Sequence, residues 1–166
     1  MRMTVRTLVL LRHAKAEQPS GVPDADRPLS PRGHADAHAA GAWLKARHQP
    51  DLVLCSPSKR TRQTWQAVAS ALGSAPTVRY ERRLYSGDAG ELLGLVREVD
   101  DSVGTVLLIG HNPSLSDLAY ELDPHGPLDS DGLRTCGIAV HTLDGSWRDY
   151  AFGRAPVAVT HTARAD

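Results

Sequence analysis

The chain has 166 residues, and 19 basic side chains balance 19 acidic ones to give a formal net charge of zero. This length suits one domain with its own core, and the balanced charge disfavours nucleic-acid binding, which favours a basic excess. No apolar run approaches the roughly 18 residues needed to span a membrane, and two cysteines are too few for a disulfide framework or a zinc site. We therefore predict a single domain over residues 1–166 in the reducing cytoplasm, with no nucleic-acid or membrane partner.

The predicted elements alternate between apolar strands and amphipathic helices along the chain. A first strand spans residues 6–12, and Ser30 with Pro31 begins a helix that runs to about residue 48. A strand over 51–55, a helix over 58–72, a strand over 77–80, a helix over 91–99, a strand over 105–109 and a helix from Pro113 follow. Residues 136–143 and 147–152 are predicted to pair as a hairpin, and the last dozen residues are predicted to fray. This order predicts an α/β fold, a three-layer α/β/α sandwich whose mostly parallel central sheet has an antiparallel edge.

Basic side chains follow three of the predicted strands at the point where each strand ends. The first strand ends in Arg12 and His13, Arg60 opens the helix after the second strand, and His111 follows the strand over 105–109. Because the carboxyl ends of parallel strands meet at one edge of a sheet, these side chains are expected to converge. Two guanidinium groups and two imidazoles form an anion pocket, and phosphate is the anion that they suit best.

Such a pocket predicts phosphoryl transfer without a metal or another cofactor. The arginines would neutralise the charge of the phosphoryl group, while a neutral imidazole can attack phosphorus directly and form a phosphohistidine. Histidine has an ordinary pKa near 6.5, so one ring can serve as a nucleophile while the other binds a phosphoryl oxygen.

Four motifs are similar to those of one known family. They read LRHAKA at residues 11–16, DRPLSPRG at 26–33, SPSKRTRQT at 56–64 and GHNP at 110–113. In this order and spacing they resemble the motifs of the histidine phosphatase superfamily, whose fold is phosphoglycerate-mutase-like. The short chain and the RPLS form of the second motif resemble the small, SixA-like branch of phosphohistidine phosphatases.

The resemblance implies a role for each matching residue. His13 would be the catalytic nucleophile, and Arg12, Arg60 and His111 would bind the phosphoryl group. Arg27 and Asn112 are additional candidates for substrate binding. For Arg27 the alternative is a salt bridge that anchors its loop. Arg62 is a further candidate, for which a position on the solvent face of its helix is favoured.

The general acid is less well defined by the motifs. Larger members of the family carry a glutamate shortly after the third strand, and Glu81 lies in that region of this chain, with Asp88 as an alternative. A site without a strong acid is a further possibility, because the P–N bond of a phosphohistidine needs less help to break than a sugar ester. Pro19 replaces a polar residue of the mutases, which weakens the resemblance to a mutase pocket.

The predicted substrate is phosphohistidine on a protein. Residues 73–104 hold only one short predicted strand and one helix, so no large cap is expected over the pocket. The alternatives are a small sugar or nucleotide phosphate, or a phosphate-binding module without turnover. The partner is therefore a phosphorylated protein or a small phosphomonoester, and the role of residues 123–134 stays open.

Two other kinds of site are excluded by spacing. Cys55 and Arg60 form C-x4-R, whereas a cysteine phosphatase requires C-x5-R. His34 and His38 lie one helical turn apart, yet the segment lacks the glutamate that follows the first histidine in HExxH zinc hydrolases. We therefore predict no metal site.

Overall fold

The computed structural model describes residues 4–166 and contains six strands and five helices within them. The strands are β1 (Val5–Arg12), β2 (Leu52–Cys55), β3 (Thr77–Tyr80), β4 (Thr105–Gly110), β5 (Gly137–Asp144) and β6 (Val157–Thr162). The helices are α1 (Pro31–Arg47), α2 (Lys59–Leu72), α3 (Arg83–Ser86), α4 (Ala89–Arg97) and α5 (Ser114–Leu122). Short 3-10 turns lie at Asp24–Asp26 and Trp147–Asp149.

The strands form one sheet in the order β3-β2-β4-β1-β5-β6. The first four strands of that order are parallel, whereas β5 runs antiparallel to β1 and β6 antiparallel to β5. The predicted α/β fold with a mostly parallel sheet and an antiparallel edge is therefore confirmed.

Both faces of the sheet are covered, which explains why β1 is apolar at successive positions. Leu8 and Leu10 point into the core that α4 and α5 share with the sheet, whereas Val9 and Leu11 point into the core beneath α1 and α2. Side chains alternate between the two faces of a strand, so a strand buried on both sides must be apolar throughout.

The predicted strand over 147–152 is wrong. Trp147 and Tyr150 are buried and stack with ring centroids 5.2 Å apart. The Trp147 indole donates to the carbonyl of Val103 at 2.7 Å, and the Tyr150 hydroxyl donates to that of Arg6 at 2.7 Å. Burial of these two aromatic side chains, which a strand would have pointed to opposite faces, bends the segment into a 3-10 turn.

The strand that pairs with β5 comes from the segment predicted to fray. β6 alternates between half-buried and exposed residues, as an edge strand does. Beyond it, the amide of Ala165 donates to the buried carboxylate of Asp36 at 2.9 Å, and the guanidinium of Arg164 lies 3.7 Å from the same carboxylate. The end of the chain is thus attached to both the sheet and α1.

Membrane-spanning helices were not expected, and the helices of the structure are short. The longest, α1, has 17 residues and includes charged side chains. Among residues 4–166, no helix is both long and apolar enough to cross a bilayer.

Gly33 is expected to be essential for stability, because the second motif packs directly against the segment after β1. A Cβ atom at Gly33 would collide with the backbone carbonyl of Lys15, whereas one at Gly94 in α4 would meet nothing within 4 Å. We expect Gly33→Ala to lower the free energy of unfolding by about 1–3 kcal/mol through overpacking. In contrast, Gly94→Ala should raise it by up to about 1 kcal/mol through helix propensity. Urea denaturation of both variants checks the pair, and equal effects would contradict the packing argument.

Candidate active site

The adjacency of β2, β4 and β1 brings the predicted residues to one edge of the sheet. Arg12 ends β1, and His13 and His111 directly follow β1 and β4. The rings of His13 and His111 lie with their centroids 5.2 Å apart. Arg60, in the first turn of α2, is also close enough that its charge lowers the pKa of both histidines. These four residues are here called the histidine pocket.

The local contacts of His13 define its protonation state. Its Nδ1 lies 2.7 Å from the carbonyl oxygen of Ala14, and because a carbonyl only accepts hydrogen bonds, Nδ1 must carry the proton. Burial, together with the charges of Arg60 and Arg12, lowers the pKa of His13 to about 4, against the opposing effect of the Ala14 hydrogen bond. At neutral pH the ring is therefore neutral, with a lone pair on Nε2.

Side chains of the third motif, residues 56–64, make hydrogen bonds to the backbone next to His13 and Arg60. The amide of Ala14 donates to the Thr64 hydroxyl at 3.0 Å, and that hydroxyl donates to the carbonyl of Arg60 at 2.8 Å. The neighbouring Gln63 accepts from the amide of Leu29 at 2.7 Å. Gln63 and Thr64 of this motif therefore connect helix α2 to two loops, the one after β1 and the one before α1.

His111 is oriented by the serine that follows β2. Its Nε2 lies 2.8 Å from the hydroxyl oxygen of Ser56, which also accepts a long hydrogen bond of 3.5 Å from the amide of Ser58. We assign the hydroxyl proton of Ser56 to the hydrogen bond with Nε2 of His111. The proton of the neutral His111 ring is then on Nδ1. Burial, followed by the effects of His13 and Arg60, lowers the pKa of His111 to about 3. His111 is therefore a neutral hydrogen-bond donor.

Three buried nitrogen atoms of the pocket have no hydrogen-bond partner within residues 4–166: Nε of Arg12, Nε of Arg60 and Nδ1 of His111. Buried donors are normally paired, so three unpaired donors in one pocket indicate a place for an anion. Two guanidinium groups and a neutral imidazole donor are groups that suit an oxyanion such as phosphate.

The low pKa values of His13 and His111 predict a stability that depends on pH. In the unfolded chain both imidazoles regain a pKa near 6.5, so below that pH the unfolded state binds protons before the folded state does. The free energy of unfolding should therefore decrease as the pH falls from about 6.5 to about 4. Urea denaturation across this range should show a shallower pH dependence for a His13→Asn, His111→Asn double variant, and an identical slope would contradict the assignment.

Asp24 is a member of the site that the sequence did not indicate. Its carboxylate accepts from Arg60 at 3.1 Å, from Arg27 at 3.2 Å and from the hydroxyl of Tyr85 at 2.7 Å. Its backbone carbonyl accepts a second hydrogen bond from Arg60 at 2.8 Å. The Tyr85 hydroxyl first, and then the two guanidinium groups, hold the pKa of Asp24 well below its usual range. No sequence signal distinguishes Asp24 from Asp26 in the same loop.

The two additional binding candidates both make structural contacts. Arg27 donates to the carbonyl of Glu17 at 3.0 Å and also pairs with Asp24, so it anchors its loop. Its positive charge also lowers the pKa of His13. Asn112 donates to the carbonyl of Leu133 at 2.8 Å, and Arg12 donates to the same carbonyl at 3.1 Å. This contact defines a role for residues 123–134, whose last part braces Arg12 and Asn112.

The contacts of the two candidate general acids are with residues outside the histidine pocket. Glu81 follows β3, which β2 and β4 separate from β1, and its carboxylate lies 4.0 Å from the guanidinium of Arg83. Asp88 is the N-cap of α4 and accepts from the amide of Glu91 at 2.9 Å. Arg62 lies on the exposed face of α2 as expected, and donates to the carbonyl of Pro57.

The residues of the two excluded kinds of site differ in exposure. His34 and His38 are both exposed, and residues 4–166 contain no cluster of three side chains that could hold a metal ion. Cys55 is buried, and burial raises the pKa of its thiol to about 12, so it is not a thiolate at neutral pH.

Comparisons with known proteins identify the family. The model of the histidine phosphatase superfamily (branch 1) matches residues 8–109. An uncharacterized protein of Mycobacterium tuberculosis is 38% identical over 162 residues, which cover 93% of this chain and all of that protein. A Nakamurella multipartitia protein, assigned as the phosphohistidine phosphatase SixA, superposes with a TM-score of 0.83 at 35% identity over 96% of each chain. The protein histidine phosphatase SixA in complex with tungstate superposes with a TM-score of 0.80 at 26% identity, over 94% of this chain and 96% of that one.

A sheet of this order, with arginine and histidine at its parallel strand ends, defines a phosphoglycerate-mutase-like phosphatase. The chain belongs to the histidine phosphatase superfamily (branch 1), in its SixA-like group. The resemblance inferred from the motifs is confirmed, and the protein is a phosphatase.

Proposed function

We propose that this phosphatase removes the phosphoryl group from phosphohistidine on proteins, with His13 as its nucleophile. The observation that carries the proposal is the hydrogen bond from Nδ1 of His13 to the Ala14 carbonyl at 2.7 Å, which leaves the Nε2 lone pair beside the cationic side chains of the pocket. Arg12, Arg60 and His111 supply the unpaired donors for the phosphoryl oxygens.

The reaction would proceed in two displacements. Nε2 of His13 forms a bond to phosphorus as the bond to the leaving group breaks, and the electron pair of that bond stays with the leaving group. The resulting phosphohistidine keeps its Nδ1 proton, which the Ala14 carbonyl continues to accept. Water then attacks phosphorus, the P–N bond breaks, and its electron pair returns to Nε2. The arginines neutralise the phosphoryl charge throughout both steps.

A protein substrate is supported by the segment between β3 and β4. Its only helices are the four-residue α3 and the nine-residue α4, so it carries no long insertion that could cover the pocket as a large cap. An enzyme that must receive a phosphorylated side chain from another protein's surface needs such access. The names of the solved SixA relatives, which describe phosphohistidine phosphatases, support the same substrate.

We infer one catalytic domain over residues 1–166, because β6 and the contact of Ala165 with Asp36 extend the fold to the end of the chain. Its two cysteines are both free and buried, which suits the reducing cytoplasm.

A substrate panel tests the proposed function. With a chelator present throughout, we expect kcat/KM for a phosphorylated histidine-phosphotransfer protein to exceed the values for sugar phosphates and nucleotides by about tenfold or more. His13→Ala should be inactive on every substrate of the panel. A preference for a small phosphomonoester would replace the proposed substrate, and tungstate binding without turnover on any substrate would indicate a phosphate-binding module.

A further inference from the structure

The carboxylate of Asp24 is exposed to solvent and also contacts Arg60 of the histidine pocket. The Asp24 side chain is 51% exposed, whereas that of Arg60, which it contacts at 3.1 Å, is only 8% exposed. The Tyr85 hydroxyl also donates to this carboxylate, and the Tyr85 ring meets His111 edge-on, with centroids 5.4 Å apart. A half-exposed negative charge therefore contacts one arginine of the histidine pocket and the tyrosine that packs against His111.

A negative charge in this position should disfavour cleavage of phosphate esters and favour cleavage of phosphorylated imidazoles. When a phosphate ester is cleaved, negative charge develops on the leaving oxygen, and a nearby carboxylate repels it. When a phosphorylated imidazole carries a proton on its second nitrogen, its ring is positively charged, and a nearby carboxylate attracts it. The positively charged pocket holds the phosphoryl group in either case.

We propose that Asp24 is a specificity-determining residue that selects phosphoryl groups carried on a protonated imidazole over phosphate esters. This inference rests on the proposed function and assigns its substrate preference to one side chain. Asp24 would compensate the positive ring of the substrate while Arg60, held by the same carboxylate, binds the phosphoryl oxygens.

The chemistry of such a substrate requires no general acid. Nε2 of His13 forms a bond to phosphorus while the P–N bond of the substrate breaks, and its electron pair remains on the substrate nitrogen. The substrate ring already carries a proton on its other nitrogen, so it leaves as neutral imidazole. The positive charge passes to the ring of His13, whose Nδ1 proton is bonded to the Ala14 carbonyl. This balance agrees with the positions of Glu81 and Asp88, which both make contacts outside the pocket.

The alternative is that Asp24 only positions Arg60. In that case its removal would impair every substrate in the same proportion, because all of them need Arg60. Asparagine has the size of aspartate and keeps a carbonyl oxygen for Tyr85 and Arg60, but it lacks the charge. The ratio of two activities therefore distinguishes selection from positioning.

The test compares phosphoimidazole with 4-nitrophenyl phosphate as substrates of the full chain. For Asp24→Asn we expect the ratio of kcat/KM values, phosphoimidazole over aryl phosphate, to fall about tenfold or more, because the loss on phosphoimidazole should exceed any loss on the aryl phosphate. Asp24→Glu, which keeps the charge, should retain most of the ratio. Asp26→Asn removes an exposed charge from the same 3-10 turn and serves as the matched control.

Each other outcome has a separate meaning. Equal losses on both substrates in Asp24→Asn, in a variant whose thermal unfolding matches wild type, would overturn selection and leave only positioning. An unchanged ratio would also overturn it. If wild type cleaves the aryl phosphate but not phosphoimidazole, this inference and the proposed substrate both fail, while the phosphatase mechanism stands. A wild-type protein that cleaves neither would instead refute the proposed function.

Discussion

Replacing His13 by alanine is expected to reduce phosphatase turnover by about 10⁴-fold or more, because the proposed mechanism forms its covalent intermediate on this ring. The loss should appear in kcat on both 4-nitrophenyl phosphate and a phosphohistidine protein. Rapid quench with radiolabelled substrate should detect a phosphoenzyme in wild type and none in the variant. The phosphoenzyme should be labile to acid and stable to base, as phosphohistidine is and a serine ester is not.

His38→Ala is the matched control for this experiment. His38 lies on the exposed surface of α1, and its replacement should leave kcat unchanged. Thermal unfolding of His13→Ala confirms that the variant is folded. Turnover close to wild type in folded His13→Ala would refute a mechanism in which this ring is the nucleophile.

For Arg60→Ala we expect kcat/KM to fall by about 10²–10³-fold, the loss typical of removing one preorganised donor from a transition state. Arg60 contributes a buried Nε with no partner in the described residues, and its charge lies beside His13. Tungstate, an oxyanion of similar shape to phosphate, should also inhibit the variant more weakly than wild type. Steady-state kinetics with tungstate as a competitor measures both quantities.

Arg62→Ala provides the control two residues further along α2. Arg62 lies on the exposed face of that helix, so its removal takes away the same charge without touching the pocket. We expect its kcat/KM to remain within about threefold of wild type, because screened surface charges contribute little. Equal losses in the two variants would mean that only the net charge of α2 matters, against a specific role for Arg60.

Most of the sheet is predictable because local residue patterns carry the information. The four parallel strands are apolar wherever helices cover them on both faces, as in the buried residues of β1, β2 and β4. Pairing at the antiparallel edge is weaker in the sequence. β6 alternates between half-buried and exposed residues and includes threonine and histidine, so it lacks the apolar run of a central strand.

The segment at 147–152 was misread for a related reason. Trp147 and Tyr150 favour strands in general, and that preference depends on how well such rings pack against neighbours. Here the two rings bury together over α4 and the core of the sheet, in a 3-10 turn. The packing that decides this lies in residues far away along the chain.

Within the site, the sequence by itself determined which basic side chains follow the parallel strands β1, β2 and β4. The residues there lie immediately after apolar runs, and adjacent parallel strands must present their carboxyl ends at one edge, so His13 and His111 could be expected to meet. The motifs also determined the family, which the comparisons confirmed.

Only the tertiary structure decided how those residues are held and what borders them. The contact of Asp24 with Tyr85 joins residues 61 positions apart, and no periodic pattern links them. The contact of Arg12 with the Leu133 carbonyl spans 121 positions. Such contacts arise where irregular loops cross the end of a sheet, and their geometry depends on the packing of the whole chain. The residues proposed to hold a phosphoryl group were therefore visible in the sequence, whereas the carboxylate proposed to select the group that carries it was not.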